Sequence, residues 1–396
     1  MTISRNPFRG FCWPLFAFMV ALMVIGVVFV YSANSIRESI RLRELYKDQA
    51  VIAGIGILIG FILSQIDYHW ILRFRWYAYA GTLALLVAVL LVGRVEMGAR
   101  RWVFGIQPSE LAKLAVIILL AAYLGREEAR RDIWELLFAG VLTVLPMGLI
   151  LLQPDLGTTL VFFPVLACML FAAKTATKTL LAAIAAGVLA VVVVFGSIAL
   201  KANPKTPPAI QKTCAAVLSP LDDYQQRRLL DFIYPDHDPM GSSWNLRQSR
   251  IAIGSGGKWG KGLLKGDQNI LGYLPSQVSA NDFIFSVLAE EKGFAGSVFV
   301  LLCFGGLILS MMAVAAVAPD GPGRLLCVGV SALVFCHAFI NIGMTIGVMP
   351  VTGLPLPFMS YGRTFMLTVA IAVGLVQSVA VQSARQEKSR IDSGLD

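Results

Sequence analysis

The chain has 396 residues, 57% hydrophobic and only 14% charged, with a formal net charge of +9, and its mean hydropathy is +0.73. This excludes a soluble domain, and the short alternating segments of a membrane barrel are absent as well. Many windows approach the roughly 20 apolar residues that cross a bilayer as a helix, so the composition implies an all-α polytopic membrane protein.

The positive balance suits a membrane with anionic headgroups and requires no nucleic acid. The six cysteines have neither metal-ligand spacing nor a disulfide framework, and read as small hydrophobes in a packed bundle. Arg5 and Arg9 precede an apolar run with no small-residue cleavage site after it, so that run reads as a retained first span.

Ten spans are predicted, at about 13–33, 48–66, 76–93, 108–125, 135–152, 159–173, 180–200, 283–315, 325–348 and 365–384. An even count puts both termini on one side. With the termini inside, the inner segments hold thirteen cations: Arg5, Arg9, Arg73, Arg75, Arg126, Arg130, Arg131, Lys174, Lys178, Arg324, Arg385, Lys388 and Arg390. The short outer loops hold eight: Arg37, Arg41, Arg43, Lys47, Arg94, Arg100, Arg101 and Arg363. Termini inside is favoured. The segment 201–282 then lies outside, as a large extracytoplasmic loop of short helices within a single transmembrane domain, 1–396.

The unusual residues gather at the outer ends of the spans. Span 4 opens with Gln107-Pro108-Ser109-Glu110, where Pro108 suits a first helical turn. Glu110 and Lys113 share a helix face and can pair, either as a structural clasp or as part of a site. Span 5 ends in Gln153-Pro154-Asp155-Leu156-Gly157-Thr158, an ordinary turn by composition that also carries a boundary carboxylate.

The stretch from Trp244 to Gly296 stands out most. A glycine-rich loop bearing Arg247, Arg250, Lys258, Lys261 and Lys265 runs into an apolar segment, with Asp282 at the junction. Glu290 and Glu291 lie inside that segment, where charge is costly. They could line a face next to Asp282 or pair with Lys292 at an internal break. The run 283–315 is too long for a simple perpendicular span. Ahead of span 10, residues 349–362 hold three prolines and two glycines and cannot make a regular helix. Such backbone is tolerated near membrane depth where protein or a cavity satisfies it.

Glu110, Lys113, Asp155, Asp282 and the 349–362 loop are therefore expected at one membrane face. Cations and glycine turns around a carboxylate at headgroup level suit a phosphate-bearing lipid substrate. The alternative is that the cations only meet anionic lipid. No P-loop, GxSxG, HExxH or dinucleotide fingerprint is present.

The blocks GARRWVFGIQPSELAK, QPDLGT, QSRIAIGSGGKWGKGLLKGDQ, DFIFSVLAEEKGF and NIGMTIGVMPVTGLPLPFMSYG strongly resemble the SEDS family (shape, elongation, division, sporulation). The last block is similar to the RodA-type elongation branch rather than the FtsW-type division branch. The resemblance covers nearly the whole chain. It implies a ten-span peptidoglycan glycosyltransferase of the bacterial cytoplasmic (inner) membrane, polymerising lipid II on the outer face during cell elongation and rod-shape maintenance. The implied partners are lipid II (an undecaprenyl-pyrophosphate-linked disaccharide peptide), a class B penicillin-binding protein as transpeptidase, and other elongation-complex membrane proteins. It implies Asp282 as the catalytic residue, with Arg101, Trp102, Glu110, Lys113, Gln153, Asp155, Lys261, Gln268, Ser360 and Tyr361 as substrate-binding positions.

Two departures stand out. The family usually has a Glu and a His-Thr pair between its Leu-Pro and the catalytic aspartate, whereas Leu274-Pro275 is followed here by Ser276-Gln277-Val278-Ser279-Ala280-Asn281. The family's second glycine after Ser-Tyr is Arg363 here.

Making a β-1,4 glycan from an α-linked pyrophosphate requires one inverting displacement. That needs a base at the acceptor hydroxyl, expected to be Asp282, and positive charge at the leaving pyrophosphate. Arg101, Lys113 and Lys261 are the expected cations; a divalent cation, magnesium or manganese, is an alternative. Two rival readings use the same residues: a lipid II flippase, and a non-catalytic scaffold of the elongation complex. A flippase calls for charge near the bilayer centre on several spans, and a scaffold leaves Asp282 and the cationic loop without a role.

Overall fold

The computed structural model describes residues 10–35, 39–96, 99–103, 105–127, 132–175, 177–203, 205–219, 221–234, 243–274 and 276–393. Of the cations used for orientation, Arg5, Arg9, Arg37, Arg130 and Arg131 lie outside the described residues, as does Pro275.

The chain opens with α1 (Trp13–Asn34), the single turn α2 (Ile40–Arg43), α3 (Leu45–Gln65), the short α4 (Tyr68–Arg73) and α5 (Arg75–Val92). An antiparallel ribbon of β1 (Arg94–Glu96) and β2 (Ala99–Trp102) follows. Then come α6 (Pro108–Leu124), α7 (Ile133–Leu151), α8 (Leu156–Ala172) and α9 (Thr177–Ala202). The segment 201–282 forms α10 (Pro208–Leu218), α11 (Asp223–Ile233), α12 (Trp244–Ser255) and two single turns, α13 (Asp267–Ile270) and α14 (Ser276–Ser279). The chain ends in α15 (Ile284–Ala316), α16 (Gly321–Ile346) and α17 (Arg363–Ser393).

Each predicted span coincides with one of these helices. Eight of them are long and apolar enough to cross a membrane; α6 and α8 have 17 residues each. Local chemistry sets their starts. Pro108 occupies the first turn of α6. The Asp132, Asp155 and Asp320 carboxylates cap α7, α8 and α16 by accepting backbone N–H groups three residues on.

The centre of the bundle is α16 and α17, with 83% and 89% of their apolar windows buried, whereas α9 is only 11% buried and stands at the periphery. Helix α15 lies between α1 and α16, and α17 runs along α3. Glycine makes that last contact close: a Cβ at Gly374 would lie 2.8 Å from the Gly60 Cα. Ile198, Leu218 and Leu229 form a small separate core that fastens α10 and α11 to the end of α9.

The overlong eighth run is broken. Gly293 has φ 66° and ψ −161°, outside helical space, so residues 284–292 form a separate first segment of α15. Residues 294–316 remain, enough to cross the hydrocarbon core alone. The glycine-rich loop after α12 supplies the hydrogen bonds that the break would otherwise lose. Phe294 N donates to Gly257 O (2.8 Å) and Ala295 N to Lys258 O (3.0 Å); in return Lys261 N and Gly262 N donate to Glu290 O and Glu291 O (both 3.0 Å).

Candidate active site

Asp282 lies in an irregular segment, 280–283, that is fastened to the proline-rich loop. Asn341 of α16 donates to both Asp282 O (2.9 Å) and Leu354 O (2.7 Å). Tyr361 N donates to Ala280 O (2.9 Å). The Ser360 hydroxyl donates to Asn281 O (2.5 Å) and accepts from Leu356 N (2.8 Å). The loop's non-helical backbone is thus satisfied by protein, as burial demands. Ser360 and Tyr361 hold the segment carrying Asp282 in place.

Asp282 is half-buried: it lies deep among protein atoms, yet part of its surface stays accessible. Burial pushes its carboxyl above the ordinary carboxylate range, while Arg228 and then Arg101 pull it back down and Asp155 adds to the rise. Gly353, with φ 73°, sits between base and cation. A Cβ there would lie 3.2 Å from Arg228 Nη1 and 3.5 Å from Asp282 Oδ2. Arg228 comes from α11 and is anchored by donating to Val351 O (3.1 Å) and to the Tyr224 hydroxyl. Arg101 comes from β2 and donates to Pro154 O. Among the described residues, neither arginine forms an ion pair with Asp282 or with any other carboxylate. The carboxylate is flanked by positive charge without being tied to it.

Asp155 caps α8 through Thr158 N (3.1 Å) and the Thr158 hydroxyl (2.9 Å), and the Gln107 amide reaches it at 3.4 Å. Gln153 donates to Leu86 O (3.0 Å), fixing the same turn against α5. Turn chemistry and proximity to Asp282 therefore coexist in this carboxylate.

Glu110 and Lys113 pair as their spacing predicts, at 2.7 Å and with both side chains 2% exposed. The Lys113 ammonium also meets His337 Nε2 at 2.8 Å and lies 5.5 Å from the centre of the Phe365 ring.

Lys261 and Gln268, expected among the substrate-binding positions with Asp282, gather instead around Glu290, in the first segment of α15. Lys261 Nζ meets Glu290 Oε1 at 2.7 Å and Asp267 Oδ2 at 2.9 Å, and Gln268 N donates to Glu290 Oε1 (3.1 Å). Burial lowers the lysine's pKa, but the bonds to Glu290 and Asp267 outweigh it and the net direction is up. Glu291 accepts from the Ser32 hydroxyl of α1 (2.5 Å). Lys292 is not the partner of either glutamate; the glycine-rich loop, laid across the break at Gly293, delivers Lys261 to Glu290 instead. Trp102 ends β2, half-buried. Arg363 reaches away from the Asp282 group to Asp48 in the first turn of α3 (2.5 Å).

Sequence reading did not single out Arg228, His337 or Asn341. Arg228 sits in a stretch legible only as amphipathic. His337, one of 3 histidines, and Asn341 are polar residues four apart inside an apolar span, a signal that marks one functional helix face. Among the described residues no group of three His, Cys, Asp or Glu side chains is arranged to hold a metal ion.

Residues 13–385 match the FtsW/RodA/SpoVE family model, described as a cell cycle protein. The chain is 34% identical to the peptidoglycan glycosyltransferase RodA of Treponema pallidum (strain Nichols), over 93% of this chain and 96% of that one. It is 33% identical to the peptidoglycan glycosyltransferase MrdB of Escherichia coli K12, over 94% of each. A chain in a solved structure described as the structural coordination of polymerization and crosslinking by a peptidoglycan synthase complex matches with TM-score 0.72 and 30% identity, over 94% of this chain and 98% of that one. The crystal structure of the Thermus thermophilus rod shape determining protein RodA matches with TM-score 0.62 and 28% identity, over 93% and 96%. With a match over nearly its whole length, the chain belongs to the FtsW/RodA/SpoVE family.

Proposed function

We propose that this multi-pass membrane protein is a peptidoglycan glycosyltransferase that polymerises lipid II during cell elongation and rod-shape maintenance. The observation that carries the reading is Asp282, an accessible carboxylate flanked by Arg228 and Arg101 but paired with neither. Saturated charges hold structure, whereas unpaired ones of opposite sign can take a proton and receive an anion. Relatives named peptidoglycan glycosyltransferase supply the substrate class.

In the reaction, Asp282 takes the proton of the acceptor sugar hydroxyl as its oxygen attacks the donor's anomeric carbon. The new C–O bond forms as the bond to the polyprenyl pyrophosphate breaks, and configuration inverts from α to β. General-base assistance of this kind is worth about 10²–10⁴-fold in rate. Arg228 and Arg101 receive the charge that develops on the departing pyrophosphate. Lys113 is spent on Glu110 and His337, as Lys261 is on the Glu290 pair, where it holds the loop across the break. A bound magnesium or manganese ion would neutralise further phosphate charge. Asp155 is the neighbouring carboxylate that would contribute to it, with substrate oxygens completing the shell, and Asp282 stays free as the base.

We place the protein in the bacterial cytoplasmic membrane with ten spans, the termini inside and Asp282 opening to the extracytoplasmic side, in line with the excess of inner cations. The partner is a class B penicillin-binding protein, in keeping with the synthase complex that contains the similar chain. The reading is tested by giving purified lipid II to the full chain reconstituted with that partner. Glycan chains on a gel support it. Translocation of lipid II across vesicles without any polymer would replace it with the flippase reading.

A further inference from the structure

We propose that the glycine-rich loop after α12 is an interfacial anchor: Trp259, with Leu263 and Leu264, enters the headgroup layer of the bilayer, and Lys258, Lys265 and Lys292 bind the phosphates of anionic phospholipids there. The inference goes beyond the glycosyltransferase reading and rests only on α15 crossing the membrane.

That helix fixes the depth of the loop. At 1.5 Å per residue, 294–316 spans about 35 Å, close to the thickness of the hydrocarbon core. Lys292 on one side and Asp320 on the other bracket the run, and such charges stay out of hydrocarbon. The loop is tied to the first residues of this crossing segment, since Phe294 N and Ala295 N donate to Gly257 O and Lys258 O. Trp259 therefore begins at the edge of the core, and the exposed Phe294 and Phe299 rings mark the lipid-facing side beside it.

The surface of the loop suits that level. Trp259 is 73% exposed, and an indole is at home where one end meets acyl chain and the other meets water. Leu263 and Leu264 are exposed beside it. Residues 256–266 hold three lysines and no acid. Lys261 turns inward to Glu290 and Asp267 and holds the loop in place. Lys258, Lys265 and Lys292 are exposed, and none of them joins an ion pair among the described residues. The Lys258 ammonium lies 5.2 Å from the centre of the Trp259 ring, which sets cation and anchor side by side. Aromatic and aliphatic side chains ringed by lysine fit an anionic lipid surface, whereas the core of a protein interface is poor in lysine.

The test uses the full chain in phosphatidylcholine nanodiscs. A fraction of the lipid, either phosphatidylglycerol or phosphatidylcholine, carries bromine near the carbonyl end of one acyl chain, where it quenches indole fluorescence. The Trp259 signal is the wild-type emission minus that of Trp259→Phe, which removes one of 7 tryptophans. Both lipids should quench it. Brominated phosphatidylglycerol should need about a fifth of the mole fraction, the preference that one lysine–headgroup contact gives. Replacing the exposed lysines together (Lys258→Gln, Lys265→Gln and Lys292→Gln) should bring the two lipids to within about 2-fold while quenching persists. Quenching by aqueous acrylamide and by neither lipid would overturn the anchor. Equal quenching by the two lipids in the wild type would overturn the headgroup binding. Shielding of Trp259 that arises only when the penicillin-binding partner is added would assign the surface to that protein and overturn both. None of these readouts depends on turnover, so failure of the glycosyltransferase reading would leave the anchor standing.

Discussion

Two clusters of charge lie at opposite ends of the first segment of α15, and they are built differently. Around Glu290 the charge is engaged: Lys261 bridges Glu290 and Asp267, and the neighbouring Glu291 accepts from Ser32. Around Asp282 the cations face the carboxylate without closing on it, and their anchoring bonds go to Val351 O, Pro154 O and the Tyr224 hydroxyl. The first cluster secures a helix break; the second leaves charge available. Equal charge content in a sequence does not distinguish the two, and partner geometry does.

If this contrast is correct, the two clusters respond oppositely to mutation. Asp282→Asn should reduce polymerisation by about 10²–10⁴-fold. Because burial raises the Asp282 pKa above its unfolded value, its ionisation opposes folding once the pH exceeds the ordinary carboxylate range. The same variant should therefore melt no lower than wild type at neutral pH, in a detergent thermal melt. Glu290→Ala should behave the other way, stripping Lys261 of its buried partner. A loss on the order of 3 kcal/mol is expected for a broken buried pair, read as a lower melting temperature, while protein that remains folded keeps most of its turnover.

Arg228→Ala sharpens the comparison further. Removing a hydrogen-bonding charge at the leaving group should cost about 10- to 100-fold in kcat/KM, the range of a charge-assisted hydrogen bond. Stability should change little, since the arginine's own anchors are a carbonyl and a hydroxyl.

Two surface sites should respond weakly. The Arg363–Asp48 pair is 59% and 48% exposed, so Arg363→Gly should shift stability by less than about 1 kcal/mol. His69 bridges Asp67 (2.7 Å) and Asp320 (2.5 Å); burial lowers its pKa, the bonds to Asp67 and Asp320 raise it, and the net direction is up. A raised histidine pKa contributes stability that is complete below the unfolded value and fades as pH rises through the folded one. Melting temperature should fall slightly as pH climbs from about 6.5 upward, and His69→Ala should remove that slope.

The helices were legible in the sequence because apolar runs of membrane length leave few alternatives, and because Pro108, Asp155 and Asp320 mark starts by chemistry that depends only on near neighbours. The Glu110–Lys113 pair was legible for the same reason. The break at Gly293 was legible in part: the run 283–315 is too long for one span and an internal break beside Lys292 was one of two readings, but a glycine in an apolar run does not declare the sign of its φ angle. Lys261 and Gln268 were expected among the substrate-binding positions from the family resemblance, which carries no geometry, and the break draws the loop that bears them toward Glu290. Arg228 reaches Asp282 from α11 across 54 residues of sequence, a distance no local pattern spans.

The most direct test of the central claim is glycan polymerisation from purified lipid II by the full chain with its penicillin-binding partner, wild type against Asp282→Asn, with both melting temperatures recorded. Polymer from the wild type, almost none from the variant and an undiminished melt for the variant are the predicted results. Comparable polymer from both would contradict Asp282 as the base.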